Sequence, residues 1–362
     1  WFVKGCFDAL NGNVALSLEQ AQKWNEAAAH RCTGLCIETR PDFCSDEDVR
    51  RMLEFGTTRV ELGVQTLDDE IYRLIKRGHT VADVADATRR LREHGLKVHY
   101  HWMPGLPGGT PERDLALFRQ LFTDPRFRPD GLKIYPTMVV EGTELEKWYN
   151  EGRYRPYDDA ASIELLAEMK AIVPGYTRIS RVLRDIPSRY IVGGLKNSVR
   201  DAVKARLKEK GVACQCIRCR EYGHRLREGW EIGEPHIMRT DYEASGSREV
   251  FLSLEDDGAT LFGLLRLRIQ DRPLAAFEST GDKTAIIREL HIYGQEVPLG
   301  KQNKGAAQHR GLGKRLMREA ERICAAEFGV GGVAVLSGVG ARDYYRTEFG
   351  YRLHNGYMFK RL

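Results

Sequence analysis

The chain has 362 residues, more than one ordinary domain and close to the length of two. A hydrophobic fraction of 42% and a charged fraction of 30% are those of a soluble globular protein, and no apolar run reaches the roughly 18 residues that a membrane span needs. The net charge of +5 suits an anionic partner such as a nucleic acid but is too mild to identify one.

The first residues, WFVKGCFDAL, hold neither an initiator Met nor a signal-peptide pattern, so the chain is read as a piece of a longer one. From residue 1 to about 200, β-rich runs alternate with helical stretches. The strand candidates are GLCIETRPD, RVELGVQT, KVHYHWMPGLPG, GLKIYP and TRISRV. SDEDVRRMLEFG and VADVADATRRLREHG read as helices, with Ser45 as an N-cap and Gly56 and Gly95 as C-terminal stops. This order predicts βα units on a parallel sheet, open or curled toward a barrel. Ligands of such sheets sit at the C-terminal strand ends. The unusual residues fall there: Glu38, Arg40, Asp42, Glu61, Gln65, His99, His101, Trp102, Lys133 and Tyr135. Cys32, Cys36 and Cys44 follow no common metal spacing and are expected to be buried structural thiols.

The next segment, GVACQCIRCREYGH, is different in kind. Cys214, Cys216 and Cys219 form C-x-C-x2-C, a spacing that can fold around one tetrahedral zinc ion. His224 is the expected fourth ligand and His236 its competitor. The uneven clustering of the eight cysteines points to a cytosolic (cytoplasmic) protein with a metal site, not to a disulfide framework. Arg178, Arg181, Arg184, Arg189, Lys196 and Arg200 precede the thiols, and Arg218, Arg220, Arg225 and Arg227 flank them. These charges form either a solvated face or a stripe that tracks phosphates.

From about residue 247 the pattern turns to antiparallel-looking strands, REVFLSLED, TLFGLLRLRI and TAIIRELHIYG. Then comes KGAAQHRGLGKRLMREAER. Leu312, Leu316, Met317, Ala320, Ile323 and Cys324 share one helical face, so a helix starts near Gly311. The glycines before it, the free N–H groups of the helix start and the charges of Lys304, Arg310, Lys314 and Arg315 suit a pyrophosphate.

QHRGLG, from Gln308 to Gly313, resembles the loop by which GNAT acetyltransferases grip acetyl-CoA. RELHIYG resembles their splayed strand, and VAVLSGVGARDYY the following strand with a tyrosine pair. Nearly the whole chain resembles the family of the Elongator catalytic subunit and its bacterial and archaeal relatives. The resemblance rests on IETRPDFC, ELGVQTLDDEIY, RGHTV, HWMPGLPG, DGLKIYPT, RDIPS, CIRCREYGH, RELHIYG and SGVGARDYYRTEFGYRL, in that order.

The resemblance implies an α/β chain with three parts. Residues 1–200 would be an incomplete radical S-adenosylmethionine partial barrel, 201–238 a zinc-stapled linker and 239–362 a GNAT-type lysine acetyltransferase domain. It implies carboxymethylation of the tRNA wobble uridine at carbon 5, fed by acetyl-CoA. The cysteines for the 4Fe–4S cluster would lie upstream of residue 1, so the radical step is expected to be lost here. Glu38, Arg40, Glu61, Gln65 and Lys133 would form the S-adenosylmethionine-domain site, and Arg178, Arg181, Arg184, Arg189, Lys196 and Arg200 the tRNA surface. Glu289, Leu290, His291, Ile292, Gln308, His309, Arg310, Gly311, Leu312, Gly313 and Tyr344 would hold acetyl-CoA. Tyr344 or Tyr345, of which strand alternation lets only one face the cofactor and Tyr344 is favoured, would protonate the departing thiolate or orient the thioester. A protein lysine acetyltransferase with Glu289 as base is the alternative, and an RNA-binding or assembly module a third. No membrane partner is expected, and a homodimer is left open.

Overall fold

The computed structural model describes residues 1–195, 199–271, 277, 283–293 and 311–362. Two short helices, α1 (Phe2–Asn11) and α2 (Leu18–Asn25), precede the first sheet. Strands β1 (Leu35–Thr39), β2 (Thr57–Gln65), β3 (Lys97–Trp102) and β4 (Gly131–Ile134) then alternate with α3 (Asp46–Glu54), α4 (Asp69–Leu74), α5 (Val81–Glu93) and α6 (Pro111–Thr123). β5 (Val139–Val140), α7 (Glu144–Asn150) and α8 (Asp159–Ala171) lead to β6 (Arg178–Val182) and β7 (Ile191–Gly193). The five-stranded sheet runs β1-β2-β3-β4-β6, with every pairing parallel, while β5 and β7 form a separate antiparallel pair.

Local chemistry explains the βα boundaries. Ser45 and Asp48 form a reciprocal capping box at the start of α3, and Thr80 and Asp83 do the same for α5. Val84, Ala87, Thr88 and Leu91 give α5 its buried stripe. It ends at Gly95, whose φ of 81° is one that a Cβ disfavours. A Cβ there would also lie 2.8 Å from Ile286 Cγ2 of the second sheet.

Helices α9 (Arg200–Glu209), α10 (Ile217–Arg220) and α11 (Tyr222–Arg227) connect the two halves. The second sheet contains β8 (His236–Ala244), β9 (Ser247–Glu255), β10 (Leu261–Ile269), β11 (Thr284–Ile292), β12 (Gly332–Val335), β13 (Arg352–His354) and β14 (Tyr357–Arg361). Its order is β13-β14-β12-β11-β10-β9-β8, and only the β11–β12 pair is parallel. Helix α12 (Leu312–Phe328) packs on it with the predicted face, Leu312, Leu316, Met317, Ala320, Ile323 and Cys324, buried. Helix α13 (Arg342–Phe349) follows β12.

The two sheets share their packing. Ile286, Ala334, Leu336 and Tyr357 of the second half join the apolar core of the first. Beside this seam lies a buried ionic network. Asp130 accepts from Arg288, which also reaches Glu249, and Glu249 accepts from Arg268. Arg92, Arg268, Arg288, Asp130 and Glu249 are all at most 1% exposed, so each charge depends on its partners.

Candidate active sites

Period-2 alternation sorts the first sheet into two faces. Val60, Leu62, Val98, Tyr100, Trp102, Leu132 and Ile134 enter the core beneath the helices. Glu61, His101 and Lys133, with Glu38, point the other way. Register aligns them, Glu38 beside Glu61 and His101 beside Lys133. Lys133 Nζ contacts Glu61 and lies 2.7 Å from Glu38, and the His101 Nε2–Glu61 Oε2 distance is 2.8 Å. Burial alone would raise the Glu61 pKa, but hydrogen bonds from His101 and Lys133 outweigh it and hold the carboxyl well below the usual range. An ionised Glu61 can only accept, so His101 Nε2 carries the hydrogen. Burial would lower the Lys133 pKa, but Glu38 and Glu61 raise it.

The remaining expected residues spread around this quartet. Gln65 ends β2 at a register shift against β3 with φ 72°, and its buried Oε1 has no protein partner. Arg40 pairs with Asp42 at the rim. Trp102 is turned into the helix-side core. His99 is buried and lies across Gly131, where a Cβ would come within 2.5 Å of its ring. Arg59 was not foreseen: it reaches Glu61 at 3.3 Å and donates to Cys36 Sγ at 3.2 Å. Its spacing of two from Glu61 on one strand was the available signal. Cys44 is buried, and burial pushes its pKa to about 12, while Cys32 and Cys36 are half-buried.

In the connecting segment, Cys214, Cys216 and Cys219 converge, with their sulfurs all within 4.8 Å of one another. Hydrogen bonds from Cys214 and Cys219 hold the Cys216 thiol below its ordinary value. The donor set suits zinc. The expected fourth ligand does not stand with the sulfurs. Among the described residues the group contains three thiols and no histidine. His224 turns along α11, 3.3 Å from Arg227 Nη2, and His236 lies on β8, 3.9 Å from Asp257. Lys170 Nζ approaches the triad instead, 3.7 Å from Cys219 Sγ.

The third site lies on the second sheet. The last β11–β12 register pair is Ile287 with Val335, beyond which β11 continues alone to Ile292 along β10. Leu290 and Ile292 pack on the α12 side, next to Gly313. Gly311, with φ 69°, starts α12 without a side-chain cap of its own, so among the described residues the first-turn N–H groups have no N-cap side-chain acceptor. A Cβ on Gly313 would lie 3.1 Å from the Tyr344 hydroxyl. Tyr344 and Tyr345 diverge by a helical step on α13 and not by strand alternation, which corrects the expected geometry. Tyr345 is buried in the core with Tyr351, and Tyr344 is the one that faces Gly313.

Glu289 is not arranged as a base. It lies 2.8 Å from Arg266 Nε and 3.3 Å from Lys97 Nζ. Burial would raise its pKa, but these cations outweigh it and hold the carboxyl well below the usual range. His291 packs on Tyr293 at 4.4 Å. Lys314 pairs with Glu348, and Arg315 lies 3.4 Å from the Pro235 carbonyl. Lys304, Gln308, His309 and Arg310 lie outside the described residues, as does Lys196.

Arg178 is half-buried and spans Glu221 at 3.0 Å and the Tyr293 hydroxyl at 3.2 Å, so it serves the seam between the halves. Arg181, Arg184, Arg189 and Arg200 are exposed. Arg181 aligns with Lys133 across the β4–β6 pair, so the exposed arginines start beside the quartet.

The parallel sheet, with a polar cluster on the face away from its helices, is that of a radical S-adenosylmethionine protein by the family models it matches. The Radical SAM superfamily model matches residues 10–121, and the Radical SAM C-terminal domain model matches 129–209. The chain belongs to the family of Elongator complex protein 3 and the tRNA uridine(34) acetyltransferases. It is 61% identical to the tRNA uridine(34) acetyltransferase of Dehalococcoides mccartyi, over 100% of this chain and 79% of that protein. Human Elongator complex protein 3 is 42% identical, over 100% of this chain and 66% of its own length. A solved structure of the archaeal Methanocaldococcus infernus Elp3, lacking residues 1–46, superposes with a TM-score of 0.92 at 45% identity, covering 100% of this chain and 86% of that one. Among the described residues no helix is long and apolar enough to cross a membrane.

Proposed function

We propose that this chain takes part in C5 carboxymethylation of the tRNA wobble uridine, with acetyl-CoA held on a GNAT-type second half. The observation that carries the reading is the slot formed by the part of β11 beyond its pairing with β12, the start of α12 at Gly311 and Gly313, and the Tyr344 hydroxyl. First-turn N–H groups would take a phosphate, and Leu290 and Ile292 would flank the chain attached to it. Burial raises the Tyr344 pKa, so the phenol keeps its proton at neutral pH and can donate it to a departing thiolate.

The quartet of Glu38, Glu61, His101 and Lys133 offers both charges and a hydrogen-bond donor at the strand ends, which suits the amino and carboxylate groups of S-adenosylmethionine. Bound with a 4Fe–4S cluster, S-adenosylmethionine would supply the radical that activates the acetyl methyl group. Cys32, Cys36 and Cys44 do not gather into a cluster site among the described residues. The exposed Arg181, Arg184 and Arg189 would hold the RNA backbone next to the quartet. Cys214, Cys216 and Cys219 would hold zinc and brace the connection between the halves. The names of the relatives, which act on tRNA uridine 34, support the same reading.

Protein lysine acetylation is less well supported, because Glu289 is paired with two cations and is a poor base. The test is thiol release from acetyl-CoA with and without tRNA, beside mass spectrometry of the wobble uridine in cells with and without the full-length gene. Stimulation by tRNA and loss of the modified uridine are expected. Acetyl-lysine on peptides with no response to tRNA would overturn the proposal.

A further inference from the structure

The loop from β12 to α13 is docked on the first half. Gly340 N donates to the Cys32 carbonyl at 2.8 Å. A Cβ on Gly338 would collide with the Thr33 carbonyl, and one on Gly340 would lie 2.5 Å from Arg31 Cβ. These positions exclude side chains because backbone meets backbone there. Val339, between them, is buried with Phe7, Ala15 and Ala21 of the α1–α2 hairpin. The receiving segment is itself held by Asn25, which is fully buried. It accepts from Cys32 N at 2.7 Å and donates to the His30 carbonyl at 3.0 Å.

Next to this dock, one carboxylate spans a turn of α13. Glu26 Oε1 lies 3.2 Å from Arg342 Nη1, and Glu26 Oε2 lies 2.8 Å from Arg346 Nη2. Residues four apart share a helix face, so the bridge restrains both rotation and sliding of the helix. The Glu26 side chain is only 14% exposed, so solvent screens the pair less than a surface bridge. Helix α13 has eight residues and no side-chain N-cap, so its position depends on tertiary contacts such as this bridge and the burial of Tyr345. Tyr344 lies midway between the two arginines in sequence and so on the opposite face of α13, with its hydroxyl toward Gly313.

We infer that Glu26, in the first half, is a positioning residue for Tyr344 in the second. By bridging Arg342 and Arg346 it sets where the phenol stands over the start of α12. Cys32 and Thr33, on which the loop docks, lead through Gly34 into β1, whose far end carries Glu38. The clamp therefore ties the phenol to a strand of the other site. This inference rests on the acetyl-CoA reading of Tyr344.

The test uses the full chain with Glu26→Gln, Arg346→Met and Tyr344→Phe, alone and combined. Calorimetry gives the acetyl-CoA Kd, and tRNA-stimulated thiol release gives kcat. Glu26→Gln and Arg346→Met should each lower kcat roughly tenfold, because a small misplacement of a reacting group is costly, with Kd changed less than about twofold. Neither should lower kcat further in the Tyr344→Phe background, since both act through the phenol. A purely structural role would add to the loss in that background and overturn the inference. So would wild-type kcat in Glu26→Gln when Tyr344→Phe is impaired. If Glu26→Gln fails to fold, Arg346→Met, whose side chain is 41% exposed, carries the same comparison. Wild-type turnover in Tyr344→Phe would remove the proton-donor role of Tyr344 and this inference with it, while leaving acetyl-CoA binding standing.

Discussion

Arg288 and Asp130 meet in a two-pronged ion pair across the boundary between the two sheets, Nη1 to Oδ2 at 2.7 Å and Nη2 to Oδ1 at 2.8 Å, with neither side chain exposed. Arg266 adds a third charge at 3.5 Å from Asp130. Removing one member leaves the others charged and dry, at a cost of about 3–5 kcal/mol. Asp130→Ala should therefore lower the unfolding free energy by that order in denaturant titration. The wild-type halves should unfold together, and the variant should show two transitions. Asp130→Leu with Arg288→Met should be milder than Asp130→Ala, since it removes both charges.

His99 lies nearby, under the first sheet, and burial lowers its pKa to about 3. The unfolded histidine takes a proton near its ordinary value of about 6.5, while the folded one does not. Between those values the unfolded state binds more protons, so stability is lost as pH falls from about 6.5 toward 3. His99→Gln should remove that share of the acid sensitivity, as read by thermal unfolding across the window. The His99 ring proton should show no NMR titration above about pH 4.

Much of the architecture could be read locally. Ser45, Gly56 and Gly95 bound their helices through short-range hydrogen bonds, and the α12 face follows from a 3.6-residue period. Strand ends could be located, so Glu38, Glu61 and Lys133 could be grouped before their contacts were known. What could not be read depends on partners far along the chain. Arg178 meets Glu221 and Glu289 meets Lys97, and neither spacing leaves a periodic trace. Arg92, Arg266, Arg268 and Arg288, the most deeply buried arginines among the described residues, look in sequence like surface charge. Tyr344 and Tyr345 were separable in outcome but for a different reason, a helical turn in place of strand alternation.

The RNA proposal narrows to the arginines that remain exposed. Arg181 has an ion pair with Asp185 at 3.1 Å, whereas Arg189 stacks over Tyr190 at 4.7 Å. Reversing Arg184 and Arg189 to Glu should weaken tRNA binding by tenfold or more and flatten its salt dependence by about one unit of slope per lost phosphate contact. Acetyl-CoA affinity should not change. Arg178→Glu should instead impair folding, because it places two carboxylates together at the seam. Filter binding at several salt concentrations, beside thermal melts, separates these outcomes.

The thiol triad predicts about one zinc per chain by metal analysis. Cys216→Ser removes the most buried of the three sulfurs and should lose the metal and several degrees of Tm. His224→Ala should keep the metal, because His224 stands apart from the sulfurs. Metal loss in His224→Ala would return the histidine to the ligand set, and full occupancy after all three thiols are changed to Ser would end the assignment.

Gly311 and Gly313 offer the sharpest contrast in the proposed acetyl-CoA slot. At Gly313 a methyl group would stand 3.1 Å from the Tyr344 hydroxyl and 3.7 Å from Ile292 Cγ1, so the phenol must move. Gly313→Ala should leave stability within about 1 kcal/mol, because alanine favours the helix, yet lower tRNA-stimulated thiol release about tenfold. At Gly311 a methyl group would meet nothing within 4 Å, but φ is 69°. Gly311→Ala should therefore cost about 1 kcal/mol of stability through backbone strain, with a smaller effect on turnover. Gly311→Glu adds a negative charge where first-turn N–H groups would face a phosphate in the proposed reading, and should abolish acetyl-CoA binding while tRNA affinity holds. Calorimetric titration of acetyl-CoA into all three variants decides the matter. Normal affinity in Gly311→Glu would show that the glycine serves only to start the helix.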